Sequence, residues 1–191
     1  MQLECEVRFL DIDLPELEER LHALGLVPEY QTLFRITIFH GLSGEDREYI
    51  RVRDEGHRIT MTHKRTFQDS LIAQEREVLV DSYENAIGFL EGIGLKHKRT
   101  EEKYRVRYRY GTARIDLDTW PGIPTYVEIE TDSLYNLAHV CEKLGFTIEQ
   151  GYGGDAHDVF RYYGINPREV PLLVFSEDEK EQLKLMEFWD E

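Results

Sequence analysis

The chain has 191 residues, 41% of them hydrophobic, and carries a formal net charge of −15 from 23 Lys and Arg against 38 Asp and Glu. That is apolar enough for a sizeable core, and the negative balance repels nucleic acid, so no nucleic-acid partner is expected. No apolar run approaches the roughly 18 residues of a membrane span and no charged-then-apolar leader is present, while Cys5 and Cys141 lack metal-ligand spacing and disulfide density; the expectation is a soluble cytoplasmic protein without thiolate-bound zinc.

Period-two alternation at residues 2–9 predicts a first strand, and a helix follows from Leu14 to Leu24, with Pro15 in its first turn and Gly25 as its stop. Alternation returns at 32–40, 48–54, 57–65 and 73–80, with turn chemistry at Gly41 to Asp46 and at Thr66 to Ser70. A second helix, Ser82 to Ile93, ends at Gly94; strands at 103–110, 112–119 and 125–131 are separated by Gly111 and by Trp120-Pro121-Gly122-Ile123-Pro124. A third helix runs from Ser133 to Leu144 before Gly145. Gly151 to Asp155 reads as a flexible joint, Ala156 to Tyr163 as a short helix, and Ser176 to Trp189 as an acidic amphipathic helix. The chain therefore divides into a strand-rich region, 1–150, and a helical cap or tail of the same domain, 151–191.

The charges within the strands keep one phase. Glu4, Glu6 and Arg8 oppose Leu3, Cys5 and Val7; Arg51 and Arg53 oppose Ile50 and Val52; Arg58, Thr60, Thr62 and Lys64 oppose Ile59 and Met61. Lys103, Arg105, Arg107 and Arg109 oppose Tyr104, Val106, Tyr108 and Tyr110, Asp116 and Asp118 oppose Ile115 and Leu117, and Glu128 and Glu130 oppose Val127 and Ile129. The facing of Glu75 and Glu77 is left open by Arg76, Val78 and Val80 on the alternate phase. Like charges two residues apart repel by roughly 2 kcal/mol at an effective dielectric near 20, so single-signed doublets point to a ligand requirement. By the same reasoning, Glu128→Gln or Glu130→Gln relieves a repelling cluster and leaves stability level or raised.

Eight antiparallel strands can close into a barrel wide enough for side chains and one small ligand. Helices outside and charges inside satisfy both phases, which predicts an α+β fold: an eight-stranded antiparallel β-barrel with helices packed on its outer face. Paired carboxylates on the first and last strands suit Mg²⁺ or Mn²⁺, and clustered Arg and Lys suit a multiply charged anion. A ligand that takes both is a polyphosphate. The Tyr104, Tyr108 and Tyr110 stripe falls on the helix-facing phase and reads as core, and the seven histidines show no metal-site spacing.

Glu4-x-Glu6-x-Arg8 resembles the N-terminal E-x-E-x-K signature of the CYTH family, the triphosphate tunnel metalloenzymes, and Arg51-x-Arg53, Lys64, Gln74-Glu75-x-Glu77, Lys103-x-Arg105, Asp118 and Glu128-x-Glu130 follow in that family's order. The resemblance covers about residues 1–150. It implies a β tunnel using Mg²⁺ or Mn²⁺, and an activity like that of class IV adenylate cyclases, thiamine triphosphatases or inorganic triphosphatases. Carried over by position, Glu4, Glu6, Glu128 and Glu130 hold metal, with Asp118 completing or orienting that set. Arg8, Arg51, Arg53, Lys64, Lys103 and Arg105 clamp the triphosphate, and Glu75 or Glu77 assists. The catalytic set implied is Asp118, Glu77 and Arg8.

The family lysine is Arg8 here. Arginine cannot lose a proton near neutral pH, which disfavours a lysine-assisted water and leaves phosphate binding intact; a cyclase uses the substrate's own 3′-hydroxyl. The expectation is thus a cyclase-like enzyme converting ATP to cyclic AMP and pyrophosphate, with hydrolysis of thiamine triphosphate, tripolyphosphate or a nucleotide as the alternative and a non-catalytic polyphosphate sensor as the third reading. The partner is a small-molecule triphosphate, with no membrane partner, in a monomer or homodimer.

Overall fold

The computed structural model describes residues 5–43, 48–66, 73–154, 156–167 and 169–186. In chain order these form β1 (Cys5–Phe9), α1 (Leu14–Ala23), β2 (Pro28–His40), β3 (Glu48–Asp54), β4 (Ile59–Thr66), β5 (Ala73–Val80), α2 (Tyr83–Gly92), β6 (His97–Tyr110), β7 (Ala113–Trp120), β8 (Ile123–Thr131), α3 (Leu134–Lys143), α4 (Ala156–Tyr162), β9 (Leu172–Leu173) and α5 (Glu177–Met186). The ladder order is β1-β8-β7-β6-β2-β3-β4-β5, with the two-residue β9 pairing β6 in parallel. The α+β arrangement of eight antiparallel strands with helices is present as expected. Among the described residues β1 and β5 end this order, so backbone hydrogen bonds do not close it into a ring.

Each of the first three helices begins on a side-chain cap. Asp13, Ser82 and Ser133 accept from the backbone N–H of Glu16, Asn85 and Asn136 respectively. Gly25, Gly94 and Gly145 then adopt φ of +70°, +90° and +78°, the left-handed turn that ends a helix. Two strands start earlier than alternation suggests: β2 at Pro28 and β6 at His97. The extra half of β6, His97 to Glu102, is a run of polar residues that reads as a loop, yet Arg99, Glu101 and Glu102 are buried. Pairing with β9 and the acceptance of the Phe175 N–H by Glu102 explain why.

The chain forms two compact units. The first comprises residues 1–32, 104–166 and 176–191. In it β1 ladders with β8, β8 with β7 and β7 with β6. Val7, Phe9, Ile115, Leu117, Val127 and Ile129 on one sheet face pack with Leu17 and Leu21 of α1 and Leu137, Val140 and Cys141 of α3. An apolar cavity of about 620 Å³ is lined by Leu21 and Leu26 on the α1 side and by Tyr104, Tyr108 and Leu117 of the sheet. The tyrosine stripe thus faces the helix side, as its phase predicts. The second unit comprises residues 33–103 and 167–175. There β3 and β4 form the centre of a ladder with β2 and β5, and Phe39 and Val52 pack with Tyr83, Ala86 and Leu90 of α2.

Candidate functional site

The charged phase of the first unit forms three cross-strand rows, set by the registers of β1, β8, β7 and β6. Glu6 stands opposite Glu130, which stands opposite Arg114; Arg8 opposite Glu128, Glu128 opposite Asp116 and Asp116 opposite Arg107; Asp118 opposite Arg105. Doublets of one sign along a strand therefore meet the other sign on a neighbouring strand. Arg105 donates through Nε and Nη2 to the two oxygens of Asp118, at 2.6 Å each, reaches Glu128 at 3.3 Å and pairs with Asp116. Arg107 forks onto Asp116 at 2.6 and 2.6 Å and lies over the Tyr30 ring. Arg114 forks onto Glu130, and Arg109 reaches Glu29. The self-repulsion expected from the doublets is offset by these pairs.

Arg8 is buried and four-fold engaged. Its Nη2 lies 2.5 Å from Glu128 Oε2, its Nη1 donates to the Gly154 carbonyl and weakly to Glu6 at 3.4 Å, and its backbone exchanges hydrogen bonds with Tyr152. Burial opposes its charge, but the Glu128 and Glu6 carboxylates outweigh burial and raise its pKa. Arg105 is likewise held well above the ordinary guanidinium value, burial being overcome by Asp118, Asp116 and Glu128.

Oxygen donors from Glu6, Glu128 and Glu130 on one face of adjacent strands are the chemistry a hard divalent cation takes. Among the described residues no three His, Cys, Asp or Glu side chains gather into a metal-binding group, since guanidinium groups occupy Glu128, Glu130, Asp116 and Asp118. Glu4 lies outside the described residues.

The second unit gathers cations on one face of β3 and β4. Arg51 and Arg53 of β3 face Thr62 and Thr60 of β4 in register, and Thr62 and Lys64 face Glu77 and Glu75 of β5. Glu77 accepts from the Thr62 hydroxyl at 2.9 Å, and Glu75 lies 3.5 Å from Lys64 Nζ, so both glutamates belong to the charged phase that the sequence left open. Arg51 reaches those carboxylates only at 3.8 and 3.9 Å. Arg53 pairs with Glu55 at 2.5 Å, yet burial and then repulsion from Arg51 lower its pKa in spite of Glu55 and Glu77. Its Nε, the Nε of Arg51 and the Thr60 hydroxyl are buried with no hydrogen-bond partner among the described residues. Lys103 is buried in the same unit with Nζ 5.2 Å from the Phe34 ring centroid.

Four contributors escaped sequence reasoning. Glu55, in the Asp54 to His57 turn, holds Arg53 and Arg58 and reads as an ordinary turn residue. Arg114 is in phase with Asp116 and Asp118, a signal that was available. Tyr126 sits opposite Asp118, with its hydroxyl held well above the usual value by burial, Asp118 and Glu128. The Gly151 to Gly154 segment, expected to be a flexible joint, lies along β1: a Cβ at Gly151 would come within 2.1 Å of Val7 Cγ2, and Gly154 has φ +115°.

Solved structures share the fold. A Vibrio parahaemolyticus protein named a "putative adenylate cyclase" superposes with a TM-score of 0.66 at 11% identity, covering 84% of this chain and 98% of that one. A conserved hypothetical protein from Pyrococcus furiosus gives 0.62 at 19%, covering 81% and 98%. A Hippeastrum protein named a "putative adenylyl cyclase" that reveals a dominant triphosphatase activity gives 0.58 at 17%, covering 88% and 99%. At these identities the likeness concerns fold. No curated protein matches the chain. The family profile of the CYTH domain, however, matches residues 2–163, spanning every charged doublet in both units, and the chain belongs to the CYTH family.

Proposed function

We propose that the protein is a divalent-metal-dependent enzyme acting on a triphosphate, and that its reaction is the cyclase-like one: ATP to cyclic AMP and pyrophosphate. The observation that carries the triphosphate reading is the gathering of Arg51, Arg53 and Lys64 on one strand face of the second unit, where the Nε groups of Arg51 and Arg53 are buried with no hydrogen-bond partner among the described residues and burial and Arg51 lower the pKa of Arg53. Both features are what a multiply charged anion would relieve. Arg51, Arg53 and Lys64 act as fixed cations on phosphate oxygens, with Lys103, Arg105 and Arg8 as further proposed phosphate ligands.

The donor set fits Mg²⁺ or Mn²⁺ in kind, with Glu6, Glu128 and Glu130, joined by Glu4 and Asp118, as the proposed ligands. When bound, such an ion neutralises phosphate charge and lowers the pKa of a coordinated hydroxyl. The 3′-hydroxyl oxygen of the substrate attacks the α-phosphorus, the bond from that phosphorus to the α,β-bridging oxygen breaks, and pyrophosphate leaves. The hydroxyl proton passes to a carboxylate; Glu77, part-exposed and bonded to Thr62, is the proposed acceptor, while Asp118 keeps Arg105 in place. Arg8, with its raised pKa, is a permanent cation and no base, which favours attack by the substrate's own hydroxyl over a water activated at that position. Hydrolysis is the second reading, supported by the exposure of Glu75 and Glu77, which can orient a water. We further propose a cytoplasmic setting; among the described residues no helix is long and apolar enough to cross a membrane.

The test is incubation with ATP, tripolyphosphate and thiamine triphosphate in Mg²⁺ or Mn²⁺, with pyrophosphate and orthophosphate measured separately. Cyclic AMP and pyrophosphate in equal amounts from ATP are expected. Orthophosphate alone, from any of the three, would replace the cyclase reading with hydrolysis.

A further inference from the structure

Asp11 is the single described non-glycine residue with a positive φ, +52°, immediately beyond β1. Its two carboxylate oxygens accept from the hydroxyls of Tyr162 and Tyr163, each at 2.9 Å. Tyr162 is the last residue of α4 and Tyr163 follows it; Val159 and Phe160 of that helix are buried, and the Phe160 ring meets Trp120 edge-on at 5.5 Å. The helix is therefore seated by its apolar side, and the Asp11 contacts act on its exposed end.

From that end the contacts run back to Arg8. The Tyr162 ring packs edge-on against Tyr152 at 5.5 Å, and the Tyr152 hydroxyl donates to the Asp158 carbonyl at 3.2 Å. Tyr152 pairs with the Arg8 backbone in both directions, at 3.2 and 2.6 Å, and Gly154 accepts from Arg8 Nη1. The two Nη groups of Arg8 thus point at Gly154 and Glu128, and Nε, buried with no hydrogen-bond partner among the described residues, remains for another acceptor. Gly151 permits the close approach to Val7 that this path needs.

We propose that Asp11 is a positioning residue: by clasping Tyr162 and Tyr163 it sets the Gly151 to Gly154 strap along β1, and the strap, with Glu128, aims the Arg8 guanidinium. The value of this aim for triphosphate binding rests on the function proposed above; the aim itself does not. A guanidinium has direction as well as charge, so a strap can aim it.

Two variants test it: Tyr162→Phe with Tyr163→Phe, which removes both donors together with the long 3.4 Å acceptance of the Asp11 N–H by the Tyr163 hydroxyl, and Asp11→Asn, which keeps an acceptor and tolerates positive φ. The first readout is hydrogen exchange of the Arg8 and Tyr152 amides and of the Arg8 Nε–H by NMR. Exchange at least about tenfold faster is expected in the double variant, with a smaller rise in Asp11→Asn and an unchanged Trp120 environment reporting that α4 stays seated. Unchanged exchange at Arg8 overturns the proposal. The second readout is tripolyphosphate affinity by calorimetry, expected to weaken about tenfold in the double variant. Faster exchange at Arg8 with unaltered affinity would also overturn the positioning role. Absence of binding in the parent protein would instead refute the triphosphate reading, and the exchange result would still judge the clasp.

Discussion

Replacing Arg105 with methionine should unfold the first unit more readily than any other single change at a charged strand position. Arg105 is 9% exposed and its partners Asp118 and Asp116 are 1% and 2% exposed. Asp116 keeps two 2.6 Å bonds from Arg107 in the variant, whereas Asp118 loses the two 2.6 Å bonds that Arg105 gives it. Breaking a buried ion pair from one side costs about 3–5 kcal/mol, and at about 2–4 °C per kcal/mol for a chain of this size the melting temperature should fall by roughly 6–20 °C. The assay is thermal unfolding followed by circular dichroism, with Asp118→Asn added to the Arg105→Met chain as the control. The double variant also removes the Asp118 charge and should recover a large part of the loss, giving the coupling energy of a direct pair. A melting temperature within about 2 °C of the parent for Arg105→Met, or no recovery in the double variant, would refute the burial and pairing on which the estimate rests.

Arg53→Met should behave in the opposite way: relief of burial and of repulsion from Arg51 leaves thermal stability level or raised, while tripolyphosphate affinity measured by calorimetry falls by about tenfold or more. Glu128→Gln should destabilise by about 2 kcal/mol in urea unfolding, because it weakens charged hydrogen bonds from Arg8 and Arg105; a gain in stability would restore the simple repulsion picture. Glu48 is held down from 4.5 to about 2 by Ser43 and then His63. A carboxyl depressed in the fold adds stability above its unfolded value and loses it as pH falls toward 2. The parent should therefore lose urea resistance over that window more steeply than Glu48→Gln, and parallel pH profiles for the two would contradict the Ser43 and His63 contacts.

Much of the architecture was legible because local rules agreed with one another. Asp13, Ser82 and Ser133 announced helix starts, Gly25, Gly94 and Gly145 their ends, and strict alternation put the charges on one phase. What alternation cannot carry is register, and register decides which charge meets which. That is why Glu128 and Asp118 read as members of a repelling cluster and are found paired with Arg8 and Arg105. It is also why the facing of Glu75 and Glu77 emerged only from their positions opposite Lys64 and Thr62. The Gly151 to Gly154 strap was missed for a different reason: glycines demanded by close approach and by positive φ look, in sequence, the same as glycines that confer freedom.

The way the two units are threaded through the chain has a consequence for how the molecule comes into being. Residues 33–103 are contiguous, so apart from 167–175 the second unit is complete once its last strand leaves the ribosome. The first unit must wait: Cys5 of β1 pairs with Thr131 of β8, and Leu17 of α1 shares a core with Leu137 of α3. Pairing of strands so far apart in sequence slows folding, because the logarithm of the rate falls as the mean separation of contacts rises. During synthesis β1 and the apolar stripe of α1 therefore emerge first and find their partners late, which exposes an unpaired edge to neighbouring chains for that interval.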